Sequence, residues 1–267
     1  MKTLIAVPSH DYVHADFTRS LMELDKPAGT GFAMITNTLI YTARNLIAQN
    51  AIKAGFDQVL WLDADMTFPH DTLIKLAMDM PGHDLVTGLY FTRKEPIVPT
   101  LHKEIHWSIR EDGWVDGGAT LYRDYPKDQL FEIAGCGFGC VMTSARLLQR
   151  MIEKFGSPFY PLMGMGEDST FCFRATQDGF KLYCDSRIKC GHIGQKEYTE
   201  KDYQAKEDAQ FRLPAADFGI LREDPFEERR HIGVTHFGLL AMLQIPGDGA
   251  KRVEHEIGID LSVFVEI

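Results

Sequence analysis

The run WLDADMTFP, residues 61–69, sets Asp63 and Asp65 two apart at the end of an apolar stretch. On an extended strand such residues share one face. Two carboxylates there are costly unless a positive charge compensates them. Three chemistries meet that need. The pair can clamp a hard divalent cation, Asp63 can attack a phosphorus centre, or Asp65 or Thr67 can cap the helix that Pro69 opens.

The flanks place this run in a fold. TLIAVPS (3–9) reads as a buried strand, and residues 10–35 read mostly as loop. TNTLIYTARNLIAQNAIKAG (36–55) repeats Leu39, Ala43, Leu46 or Ile47, and Ala51 at helical spacing, and Gly55 stops it. Tyr41, Arg44 and Asn45 fall on the opposite face. DQVLWLDAD (57–65) is a second strand, a short helix follows Pro69, and HDLVTGLYF (83–91) is a third strand. Strand, helix, strand, helix, strand predicts an α/β fold with a mostly parallel sheet and right-handed crossovers. Ligands bind outside the carboxyl ends of such strands, where the aspartates lie.

Downstream, IHWSIREDGWVDGGATLYR carries an Asp112-Gly113 hairpin turn between aromatic segments. FEIAGCGFGCVMTS (131–144) reads as a strand interrupted by glycines, whose loop allows close backbone approach to a ligand. ARLLQRMIEKFG (145–156) is a helix, and GEDSTFCFRATQDGF (166–180) is a short helix with acids at its start. KLYCDSRIKCGHIG (181–194) is a strand followed by a small-residue turn. Beyond about 196 the chain becomes charged and weakly periodic, and from Val253 to Ile267 apolar and polar residues alternate as in a strand with one buried face. That strand could join the main sheet, form a small sheet, or pair across a homo-oligomer.

The net charge of −10 suits the chain poorly to tracking duplex nucleic acid. Five cysteines form no C-x-x-C pair and read as reduced, buried thiols. The opening apolar run is too short for a signal peptide, and no segment approaches the roughly 18 apolar residues of a membrane span. The expectation is a cytoplasmic protein.

DADMT also fits the D-x-D-x-T motif of haloacid-dehalogenase-like phosphatases, with Asp63 as nucleophile. That family carries the motif on its first strand, and GEDSTF lacks its second downstream acid. Over residues 1–195 the order of LIAVPS, TARNLIAQNAI, the D-x-D, GCGFGCVMTS, GEDSTFCFRATQDGFKLYCD and GHIG resembles GT-A fold glycosyltransferases, the nucleotide-diphosphosugar transferases of D-x-D type.

The resemblance implies a catalytic domain over 1–195 and a C-terminal extension over 196–267, a lid, helper sheet or oligomerisation element. It implies Mn²⁺ or Mg²⁺ held by Asp63, Asp65 and His192, with Asp65 the more direct ligand of the pair. Asp168 is the implied base, with Glu167 as alternate. Pro8, Ser9, His10, Arg44, Asn45, Asp63 and Arg93 are implied to meet the nucleotide-sugar donor, expected to be UDP-linked. Arg44 would pair with a phosphate or with the D-x-D carboxylates. Trp107, Trp114 and Tyr122 lie where this fold varies to suit its acceptor, here an unidentified hydroxyl. Rival readings are a sugar nucleotidyltransferase, although AVPSHDYVHADFTRS lacks the G-x-G-T-R segment, the phosphatase, and a non-catalytic nucleotide-sugar-binding protein.

Overall fold

The computed structural model describes residues 1–204 apart from 112, 195 and 196, together with 265–266. Strand β1 (Thr3–Pro8) is buried along its whole length, as a parallel strand covered on both faces must be. Its side chains alternate. Leu4 and Ala6 enter one core while Ile5 and Val7 enter the other.

Helix α1 (Ala15–Glu23) and strand β2 (Gly31–Ile35) occupy the stretch expected to be mostly loop. Only Phe17 and Ser20 of α1 are buried, so little apolar period was there to read. Gly31 looks like a strand breaker, but a side chain there would collide with the Phe56 ring. The glycine is a packing requirement within the strand.

Helix α2 (Ile40–Lys53) begins later than expected. Leu39 is its exposed N-cap, and Gly55 adopts the left-handed conformation (φ +70°) just past its end. Arg44 and Asn45 are buried together with Ala43, Ile47, Ala48 and Ala51, so the face expected to be polar is not a solvated one. Strand β3 (Gln58–Leu62) stops before Asp63, and β4 (Met66–Thr67) follows. Helix α3 (Thr72–Asp79) has Asp71 at its N-cap, so neither Asp65 nor Thr67 caps it.

Strand β5 (Leu85–Leu89) is followed by the hairpin of β6 (Leu101–Ile109) and β7 (Val115–Leu121). Gly113 takes the left-handed turn conformation at φ +82°, while Asp112 lies outside the described residues. The glycine-broken strand resolves into β8 (Leu130–Ile133), β9 (Gly135–Cys136) and β10 (Cys140–Ser144). Helix α4 (Ala145–Phe155) is capped by Ser144, whose Oγ accepts the Leu147 N–H at 3.0 Å. Helix α5 (Glu167–Gln177), β11 (Leu182–Lys189), β12 (Gly191–Ile193), β13 (Glu197–Tyr198) and β14 (Val265–Glu266) complete the order.

The eight-stranded sheet runs β14-β2-β1-β3-β10-β5-β11-β8. Strands β2, β1, β3, β5 and β11 share one direction, whereas β10 is inserted antiparallel between β3 and β5. Helices α2, α4 and α5 cover one face, and α1 and α3 the other. This is the α/β, Rossmann-like architecture, a mostly parallel sheet flanked by helices, that the sequence led us to expect. Small sheets β13-β12-β4 and β7-β6-β9 border its carboxyl edge.

Two expectations change at the end of the domain. GHIG holds strand β12, which pairs His192 with Met66 of β4, where a turn was expected. Tyr203, assigned by the sequence to the extension, is buried in the main core, and its ring stacks on Phe91 at 5.0 Å. Residues 265–266 pair antiparallel with β2, and the remainder of the alternating terminal stretch lies outside the described residues.

Candidate functional site

The two aspartates sit in a turn, and this corrects the expectation that an extended strand aims them together. The Met66 N–H donates to Asp63 O at 3.1 Å and closes the turn. Asp63 N–H donates to Gly139 O at 3.0 Å, and Ile193 N–H to Asp65 O at 2.8 Å. The backbone is thus tied to both neighbouring segments, and each carboxylate turns to its own partners.

Asp63 faces Arg44. The guanidinium donates from Nη2 to Asp63 Oδ1 at 2.7 Å and from Nη1 to Glu167 Oε1 at 2.6 Å. Arg44 is only 2% exposed, and its guanidinium also lies 5.3 Å from the Phe138 ring. Burial alone would lower its pKa, but the charges of Asp63, Glu167 and Asp168 outweigh it and raise the value. Burial pushes Asp63 above the usual carboxylate range, and the charges of Asp65 and Asp168 add to that against the pull of Arg44. Of the two roles implied for Arg44, pairing with a D-x-D carboxylate is the one the geometry displays.

Asp65 meets other partners. Arg93 donates to its Oδ2, and His192 Nε2 stands 3.6 Å from the same oxygen. Burial works to raise the Asp65 pKa, but the hydrogen bond and charge of His192, with the charge of Arg93, bring it below the ordinary value. His192 Nδ1 lies 2.8 Å from Phe91 O. A carbonyl can only accept, so Nδ1 carries a proton; the protonated ring points its Nε2–H at Asp65, and the neutral ring presents a lone pair there.

Helix α5 brings Glu167 and Asp168 to this edge. Asp168 Oδ1 accepts the Ser169 N–H at 2.6 Å. Its Oδ2 lies over Gly137, where a β-carbon would stand 3.6 Å away. Ser9 donates to Tyr12 O at 3.0 Å, and exposed His10 is 2.8 Å from Asp11. With Pro8 they mark the carboxyl end of β1, beside that of β3. Asn45 is drawn elsewhere: its Oδ1 accepts the Phe159 N–H at 3.0 Å in the core. Trp107 Nε1 donates to Met163 O at 2.9 Å, and Tyr122 packs edge-on against Phe131.

Two residues at the site escaped the sequence reading. Tyr90 is buried beneath it, and its hydroxyl accepts the Gly139 N–H at 2.9 Å. Burial, with the Asp63 charge, raises its pKa well above the ordinary phenol value, so it stays neutral. Side chains at Gly137 and Gly139 would collide with this phenol, so Tyr90 accounts for two of the loop's glycines without a ligand. His102, on β6, has its pKa lowered by burial against the opposing charge of Asp168. A tyrosine just past an apolar strand and a histidine in a mixed one gave no signal to set either apart.

Among the described residues no three or more His, Cys, Asp or Glu side chains gather as a metal cage. The Asp65–His192 pair nonetheless has suitable chemistry: a carboxylate oxygen and an imidazole whose tautomer is fixed from behind by a carbonyl. Mg²⁺-like ions usually take one or two protein carboxylates and complete their shell from substrate phosphates and water. Asp63, committed to Arg44, is not turned towards His192.

No protein family matches the chain, and no curated protein matches it. Among solved structures, A197 from STIV is similar at 18% identity, covering 73% of this chain and 86% of that one, with a TM-score of 0.50. GalNAc-T7, solved with UDP, GalNAc and Mn²⁺, is similar at 13% identity over 73% of this chain and 44% of its own, with a TM-score of 0.49. At such identities the likeness is one of fold.

Proposed function

We propose that this chain is a metal-dependent glycosyltransferase that moves a sugar from a nucleotide diphosphate, UDP-linked, to an acceptor hydroxyl. The observation that carries the reading is the Asp65–His192 pair, 3.6 Å apart with the His192 tautomer fixed by Phe91 O, at the carboxyl edge of the sheet. Bound there, Mn²⁺ or Mg²⁺ would supply charge stabilisation to the departing diphosphate.

The chain's own residues do the rest. Asp65 and His192 hold the cation. Arg44 fixes Asp63 and Glu167, and thereby joins the D-x-D turn to the start of α5. Asp168 takes the proton of the acceptor hydroxyl as that oxygen attacks the anomeric carbon. Glu167 serves less well as base, because Arg44 already holds its Oε1. Pro8, Ser9 and His10 line the nucleotide side. We place the catalytic unit in residues 1–204, with the extension beyond it.

The test is a thermal-shift screen of nucleotide sugars with and without Mn²⁺. A ligand bound only by the folded chain raises Tm by mass action. We expect a UDP-sugar to raise Tm with Mn²⁺ present and to lose the effect on chelation. No shift with any nucleotide sugar, or a phosphoaspartate formed at Asp63, overturns the reading.

A further inference from the structure

The two aspartates of the turn are neutralised by arginines of opposite character. Arg44 is 2% exposed and held at both ends by carboxylates, so it cannot leave without abandoning buried charge. Arg93 is 55% exposed, and it pairs with Asp65. A long, solvated side chain of this kind exchanges its partner at little cost.

The backbone beneath Arg93 is firmly set. Thr92 N–H donates to Val98 O at 2.9 Å, and Val98 N–H donates to Thr92 Oγ1 at 3.1 Å. Thr92 Oγ1 in turn lies 2.9 Å from Pro96 O. Phe91, two residues before Arg93, supplies the carbonyl that fixes His192. One short segment therefore orients the imidazole and delivers a mobile cation to the carboxylate oxygen that the imidazole faces.

We infer that Arg93 is a resident counter-ion that holds the cation seat at Asp65 and competes with a divalent metal for it. Resting on the reading that Asp65 and His192 bind a cation, the inference adds that metal-free Asp65 is never left bare. Were Asp65 and His192 to hold a divalent ion, its charge would displace the Arg93 guanidinium towards solvent while the Arg93 backbone stays pinned.

The experiment measures Mn²⁺ binding to the full chain, without nucleotide, by calorimetry and by the electron paramagnetic resonance of free Mn²⁺. Arg93→Ala should bind about two- to fivefold tighter than wild type, the range expected when an exposed ion pair is removed. Arg93→Lys keeps the competing charge and should bind as wild type does. Arg19→Ala changes net charge equally at a distant surface pair and should leave affinity unchanged. Unchanged or weaker binding by Arg93→Ala, or equal tightening by Arg19→Ala, overturns the counter-ion. If Asp65→Ala binds Mn²⁺ as wild type does, the metal site itself is wrong and the counter-ion falls with it. Loss of binding in Asp65→Ala with no gain in Arg93→Ala removes the counter-ion alone.

Discussion

Arg44 and Asp63, joined at 2.7 Å, bind the middle of helix α2 to the turn that follows β3. The same guanidinium reaches Glu167, 123 residues further along the chain. Charge and fold are coupled here, because neither acid has a second cation among the described ion pairs.

Arg44→Met is therefore expected to destabilise the chain by about 3 kcal/mol, the low end for breaking a buried pair, since Asp63 and Glu167 retain some water. Arg44→Lys should recover only part of this, because a single ammonium lacks the fork that spans both acids. Urea unfolding midpoints measure the effect. A loss within about 0.5 kcal/mol of zero would put Arg44 among ordinary surface residues.

Asp168→Asn should abolish sugar transfer while leaving donor affinity within about twofold, the pattern of an interaction made only in the transition state. Glu167→Gln should instead lower stability through Arg44 and retain measurable turnover. Single-turnover assays with calorimetric donor binding separate the two. Full activity of Asp168→Asn would remove it as base.

Asp79 carries the pH prediction. Burial, aided by neighbouring Asp185 and against the pull of Arg187, raises its carboxyl to about 6, above the ordinary carboxylate range. The folded state therefore binds more protons than the unfolded one between about pH 4 and 6, and stability falls as pH rises through that window. Asp79→Asn should remove this pH dependence, so that its stability relative to wild type rises between about pH 4 and pH 7.5. A pH-independent difference between the two proteins would contradict this assignment.

Truncation tests the domain boundary. Ending the chain after residue 204 should retain the core, whereas ending it after 195 removes Tyr203 from beneath Phe91 and Tyr125. We expect the shorter chain to be less stable by about 3 kcal/mol or more, the usual cost of deleting a buried aromatic. Equal Tm values would favour the boundary at 195.

Much of the fold was legible because β1, β3 and β5 are short, buried strands rich in apolar residues and α4 and α5 end at glycines of positive φ, Gly156 and Gly179. Helix α1 and β2 were not, since one buries little and the other opens with a glycine. The antiparallel insertion of β10 was illegible for another reason: pairing partners far apart in sequence leave no periodic trace.

At the site, the sequence by itself determined the inventory: two carboxylates after a buried strand, a downstream acidic helix start, and a late histidine. Those follow from residue type and local period. Only the tertiary structure decided the pairing. Carboxylates two apart diverge once the strand yields to a turn, so Arg44 claims Asp63 while Arg93 and His192 meet at Asp65. Such partners come from segments distant in the chain, and their choice depends on which strands lie side by side.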